Sequence, residues 1–213
     1  MTAVDREAAR TTMSALVRRA VSFELGEWRS LYRWTTRRPL GPEGTETFSY
    51  AGPVTPVICA FIGLSAIEIP VAHLLLPWHT ARAVVLVVGI WGLTWMLGLL
   101  ASLRTYPHVV GGSGLRIRYG TTVDITIPWN AVASIGVRRR DLPSSRTVQL
   151  GRIDSGTVLH VGISSQTNVE VALCDPVTVP LPKGTESITA LRFYADDARA
   201  LVASARQHLA PHR

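Results

Sequence analysis

Two long apolar runs lie in the middle of the chain and predict two membrane-spanning helices. The first extends from about Val54 to Leu76 and the second from about Ala83 to Leu103. Each run is long enough to cross a hydrocarbon core of about 30 Å as an α-helix. Because the link over residues 77–82 is short, we expect the helices to pack as an antiparallel hairpin within residues 51–104.

Beyond the hairpin the pattern changes to alternation, which predicts short β-strands. Apolar and polar residues alternate over 115–119, 123–127, 133–137, 169–173 and 177–181. Proline is confined to sheet edges and bulges, and three prolines fall in the region 168–183, so its strand order stays open. These three residues are Pro176, Pro180 and Pro182.

The chain ends on a predicted amphipathic helix. Its apolar face carries Leu201, Val202, Ala205 and Leu209, and Asp196 is the expected N-cap. Antiparallel strands followed by one such helix predict an α+β membrane protein. Its C-terminal domain, residues 105–213, is then a small antiparallel β-barrel or sandwich that the helix caps.

Residues 1–50 precede the hairpin as a polar, arginine-rich arm. Apolar and aromatic residues recur at helical spacing between Val17 and Tyr32, and Arg29, Arg33 and Arg37 line another face. This arrangement is typical of a helix that lies in the membrane interface. The alternative is a short helix docked on the soluble domain.

Composition and charge agree with a membrane location. Charged residues make up 17% of the chain, whereas soluble domains carry about 25%. The net charge of +7 comes from arginines that flank the apolar runs, which indicates an anionic membrane surface and not nucleic acid. Eight arginines precede the first run and only Arg82 lies in the link, so we expect both termini in the cytoplasm.

Three segments carry a resemblance to a known family. GLRIRYG (114–120) and ITIPWNAVASIGVRRR (125–140) resemble the opening of bacterial pleckstrin-homology-like domains, and LRFYADDARALVASARQHL (191–209) resembles their final strand and helix. Such domains often follow a two-helix membrane hairpin. The resemblance covers roughly the last half of the chain. It implies a membrane-anchored binding or scaffold module and supplies no catalytic residue.

Glu68 and His73 are the candidate functional residues inside the membrane. A carboxylate within a bilayer is costly, by about 2.5 to 3.5 kcal/mol on insertion scales, and such residues usually have a partner. Glu68 is interpreted either as part of an ion or proton relay or as a structural hydrogen-bonding group. Its depth in the hairpin matches residue 90, so we expect it to contact Trp91 or Thr94 on the second helix.

Arg138, Arg139 and Arg140 form a basic run at the end of a predicted strand, where they are candidate contacts for anionic lipid. A metal site formed by Glu68 and the nearby histidines would need three or four converging ligands, which helical spacing does not provide. No catalytic, cofactor-binding or metal-binding motif is recognised.

The sequence therefore predicts a non-enzymatic protein of the cell membrane that needs no cofactor. We expect its cytoplasmic domain to bind a protein partner or a second copy of itself, and we expect no nucleic-acid binding. The alternative is a transport-associated subunit that handles ions or protons and is centred on Glu68.

Overall fold

The structure is a computed structural model that describes residues 44–154, 156–181 and 184–209. The interfacial helix expected in the arm, with Arg29, Arg33 and Arg37, lies outside the described residues.

Two helices form the expected hairpin, α1 (Thr55–Leu75) and α2 (His79–Thr105). Both are long and apolar enough to span a membrane, and almost none of their apolar surface is buried inside the protein. The first helix matches its predicted bounds within one residue, while the second begins four residues earlier than expected. Three of the four residues that extend it, His79, Thr80 and Arg82, are polar and break the apolar pattern, although they continue the helix.

The β domain outside the hairpin contains two separate β-sheets. The first has four antiparallel strands in the order β1-β2-β3-β4, and the second has five strands in the order β5-β8-β9-β7-β6. The pair β7 and β9 is parallel, whereas the other pairs are antiparallel. The strands are β1 (Glu46–Phe48), β2 (His108–Gly111), β3 (Gly114–Tyr119), β4 (Val123–Ile127), β5 (Val132–Asp141), β6 (Val148–Ile153), β7 (Gly156–Val161), β8 (Gln166–Leu181) and β9 (Gly184–Phe193).

The domain is α+β, as predicted, but its sheets do not close into a barrel. Strand β1 precedes the hairpin in sequence and pairs with β2, which follows it, so the two apolar helices are an insertion between neighbouring strands. Gly111 to Gly114 form the turn between β2 and β3. Strand β2 has only four residues, which is too short for alternation to show in the sequence.

Pro176 and Pro180 lie at positions that suit a residue without a backbone N–H, whereas Pro182 lies outside the described residues. The two strands expected over 169–173 and 177–181 are one strand, β8, with a register shift between Ala172 and Val177 that contains Pro176. Beyond that shift β8 pairs, among the described strands, only with β9, so Pro180 lies on an edge. Proline has no backbone N–H to donate to a neighbouring strand, and neither position requires one.

The core lies between the sheets and beneath the terminal helix α3 (Ala198–Leu209). Leu201, Val202 and Ala205 are buried on the predicted face. The expected N-cap is wrong, because the carboxylate of Asp197, and not that of Asp196, accepts a hydrogen bond from the Ala200 N–H at 2.9 Å. Asp196 instead binds the segment that leads into α1.

Candidate functional site

A groove between the two apolar helices α1 and α2 contains Glu68. Its volume is about 510 Å³ and its wall is mostly apolar, with several small residues that keep it open. The side chain of Glu68 is exposed, and it makes no hydrogen bond or ion pair within the described part of the chain. The groove is lined by Ser65, Glu68, Ile69, Ala72, Val84, Val85, Val88, Gly89, Gly92, Leu93, Trp95 and Met96.

Glu68 contacts neither of its expected partners, Trp91 and Thr94. Depth in the hairpin was predicted well, because a Cβ on Gly89 would lie 2.7 Å from the Ile69 side chain. Trp91 and Thr94, however, do not line the groove, and the Thr94 hydroxyl donates to the carbonyl of Ile90 at 2.8 Å. Successive helical residues are rotated by about 100°, so residues at the correct depth can still face away.

His73 lies in the last turn of α1, is exposed, and does not line the groove. In the described ranges no group of three or more histidine, cysteine or acidic residues could hold a metal ion.

A buried histidine, which the sequence pattern did not single out, joins the hairpin to both sheets. His108 lies at the start of β2, and its Nε2–H donates to the carbonyl of Tyr194, 2.9 Å away. Its Nδ1 accepts a hydrogen bond from the backbone N–H of Arg118 at 3.2 Å. A carbonyl can only accept and an N–H can only donate, so both contacts require the neutral imidazole. Burial lowers the pKa of His108 to about 4, which keeps it neutral at physiological pH.

Tyr50 completes this connection between the hairpin and the domain. Its ring stacks on His108 with a centroid distance of 4.8 Å, and its hydroxyl accepts a hydrogen bond from the Gly120 N–H at 2.7 Å. Tyr50 and Ala51 pack with Leu103, from the end of α2, in a second buried cluster. In the sequence Tyr50 lies shortly before the apolar run, where an interfacial tyrosine is also common, so only the structure shows that it is buried. We call the cluster of Tyr50, Ala51, Leu103 and Ile163 the junction cluster.

The basic run lies along the irregular end of β5. Arg138 Nη1 lies 3.3 Å from Glu170 Oε2, and Arg139 Nη2 donates to Gln166 Oε1 at 2.9 Å. Arg140 is half-buried, and its Nε has no hydrogen-bond partner within the described residues. Two of the three arginines are therefore held by neighbours on β8, although their side chains stay accessible.

A second groove lies beside β6, the last strand of the five-stranded sheet. Its volume is about 480 Å³. Val148, Leu150 and Leu181 supply apolar surface, and Arg146 and Glu186 supply charges of opposite sign. We call it the β6 groove; its remaining lining residues are Ser144, Gln149 and Gly184.

The two edges of the five-stranded sheet differ in protection. On β5 the register shifts twice, and the carbonyl of Ile135 accepts hydrogen bonds from Arg206 Nε and Nη2 at 3.3 and 3.1 Å. Strand β6 pairs with β7 in regular register over all six residues. Bulges and covering groups prevent strand addition, so β6 is the edge that remains suited to pairing with another chain.

Comparison of the chain with models of protein families, with curated protein sequences and with solved structures found no match in any of the three.

Proposed function

We propose that this chain is a multi-pass protein of the cell membrane that acts as a non-enzymatic binding module. In this proposal both termini face the cytoplasm, and the two-sheet domain is a divergent bacterial pleckstrin-homology-like domain. The general layout supports the assignment, since two long apolar helices precede a β domain with a terminal helix. The basic residues Arg138, Arg139 and Arg140 would lie near anionic headgroups.

The observation that carries the proposal is the unprotected edge strand β6 beside an apolar groove. An extended peptide that adds to such an edge gains main-chain hydrogen bonds, and pockets next to the edge select its side chains. The amide of Gln149 donates to the carbonyls of Ser144 and Arg146, both at 2.7 Å, which holds one wall of the β6 groove in place. A preformed wall lowers the entropy cost of binding.

Attachment to the hairpin supports a scaffold function. Tyr50 and Ala51, which lead into α1, and Leu103, at the end of α2, are buried together in the junction cluster. The domain would therefore present the β6 groove in a fixed orientation at the membrane surface, and a bound partner would be held there.

Site-specific photocrosslinking in intact cells tests the proposal. The photoreactive residue p-benzoylphenylalanine replaces Leu150 in the β6 groove or, as a control, Val137 on the protected edge. The two side chains are similarly exposed, 48% and 50%. We expect a discrete crosslinked product from position 150 only, with the mass of a different protein or of two copies of this chain. No product, or equal products from both positions, would refute binding at β6.

Ion or proton handling by Glu68 is the second proposal. It is favoured by one observation, the exposure of an unpartnered carboxylate to a groove between the membrane helices. Purified protein in liposomes should then conduct protons or cations, and Glu68→Gln should abolish the flux. Equal flux through wild-type and variant vesicles would remove the basis of this proposal.

A further inference from the structure

The intramembrane groove carries two polar side chains with complementary chemistry and no partner. Neither the hydroxyl of Ser65 nor the carboxylate of Glu68 makes a hydrogen bond within the described ranges. The hydroxyl of Thr105, at the end of α2, is also without a partner among the described residues, whereas two other hydroxyls of the hairpin are bonded within their own helix. Thr55 and Thr94 both donate to the carbonyl four residues earlier in their own helix, at 2.7 and 2.8 Å.

The polar residues Ser65 and Glu68 lie on the same face of α1. Ser65, Glu68 and Ala72 follow the spacing i, i+3, i+7, which defines a single contact seam on an α-helix. On the opposite wall Gly92 has no neighbouring atom within 4 Å of the place where a Cβ would stand. Small residues along such a groove allow another helix to approach closely, which is the usual arrangement where membrane helices associate.

We propose that this groove is a self-association surface, on which the hairpin of a second copy packs in parallel. The Ser65 hydroxyl of each copy donates to the Glu68 carboxyl of the other. The inference rests on the proposed membrane location and concerns a surface distinct from the β6 groove.

Symmetry makes the two groups mutually compatible. Copies with the same orientation are related by a two-fold axis along the membrane normal, so each residue meets its equivalent at the same depth. Helical side chains lean towards the N-terminus of their helix. The Glu68 carboxyl therefore reaches back towards the level of Ser65, where the hydroxyl of the second copy lies. Each copy offers one donor, the Ser65 hydroxyl, and one acceptor, the Glu68 carboxyl. Two copies therefore satisfy both groups without a different protein partner.

Disulfide crosslinking of the full chain in native membranes tests the inference. The two natural cysteines, Cys59 and Cys174, are first replaced by alanine. Ala72→Cys then places a thiol on the seam, and Ala66→Cys serves as a matched control on the same helix, outside the groove lining. On mild oxidation we expect a product of two chains from position 72 and none from position 66.

Variants of Glu68 separate the proposed bonds from chance packing. Glu68→Ala should lower the association constant by roughly tenfold, the value expected for two interhelical hydrogen bonds of average strength. Glu68→Gln keeps a hydrogen-bonding group at the same reach and should retain the crosslink. Equal crosslinking at positions 72 and 66, no crosslink at 72, or no effect of Glu68→Ala would each overturn the proposal.

Extraction of the membranes with alkaline carbonate shows whether a negative crosslinking result refutes the self-association surface alone or also the proposed membrane location. If the chain is extracted as a peripheral protein, the membrane location is wrong, and this inference falls with it. If the chain stays in the membrane but position 72 forms no two-chain product, only the self-association surface is refuted.

Discussion

The carboxylate of Asp196 accepts the backbone N–H of Gly52 on both of its oxygens, at 3.0 and 3.1 Å, across 144 residues of sequence. Gly52 leads into α1, the first of the two apolar helices, and Asp196 follows the last strand. The backbone N–H of Asp196 also donates to the carbonyl of Ser49 at 2.8 Å. These contacts tie the start of the hairpin to the end of the β domain.

Gly52→Ala should therefore weaken this attachment. A Cβ at this position would lie 2.6 Å from Asp196 Oδ1, so the carboxylate must move away and lose its hydrogen bonds. We expect the loss of these hydrogen bonds to lower the free energy of unfolding by about 1 to 2 kcal/mol. The loss is modest because the contact is exposed to solvent. Thermal unfolding in detergent measures the change. Gly63→Ala, where a Cβ would meet no atom within 4 Å, is the control, and equal stability of the two variants would contradict the prediction.

His108 should make stability depend on pH. Its folded-state pKa of about 4 lies below the ordinary value of 6.5, so the unfolded chain binds a proton more readily. Stability from this group is complete above about pH 6.5 and is lost as the pH falls towards 4, by up to about 3 kcal/mol. Denaturant unfolding of the purified protein across this range measures the slope.

The control for this prediction is His108→Gln, which cannot titrate. This variant should be less stable at neutral pH and should show a smaller loss between pH 6.5 and 4 than the natural protein. Titration of His160, whose pKa is also lowered by burial, remains in both proteins and cancels in the comparison. Identical slopes would show that His108 is not the source.

Tyr50→Phe should destabilise the junction cluster although the ring and its stacking are kept. The variant removes the only acceptor that the described residues provide for the Gly120 N–H. A buried N–H without a partner costs about 1 to 3 kcal/mol. Thermal unfolding should show this loss, whereas Tyr106→Phe, a change of the same kind at a less buried tyrosine, should be nearly neutral. A neutral Tyr50→Phe would mean that water reaches the Gly120 N–H.

Orientation in the membrane can be tested by labelling cysteines from outside intact cells. In a background without Cys59 and Cys174, His79→Cys lies at the start of α2, next to the link between the helices, and Ser145→Cys lies in an exposed loop of the β domain. The arginine asymmetry predicts that an impermeant maleimide modifies only position 79. Modification of position 145 in unbroken cells would reverse the proposed orientation. Labelling of both positions after lysis is the control for accessibility.

Local periodicity predicted the elements of this protein correctly where they are long and regular. The two apolar runs, the strands over 115–119 and 123–127, and the buried face of α3 could all be identified from residue spacing. Spacing reports local geometry, because helical and extended backbones repeat their side-chain directions at fixed intervals. Strand β5 shows the limit of the method. Its register shifts leave Val132 and Ile135 buried and Val137 exposed, so simple alternation fails there.

Relationships between distant residues were decided only by the tertiary structure. Depth in the hairpin followed from counting residues, but the direction in which Glu68 points depends on the rotation of each helix, which packing sets. The pairing of β1 with β2 across the hairpin, and the burial of His108 between Tyr50 and Tyr194, require surfaces that exist only after the chain has folded. The sequence by itself therefore determined which segments are helices and strands. The packing of residues far apart in the chain determined which polar groups are buried, paired or left open for a partner.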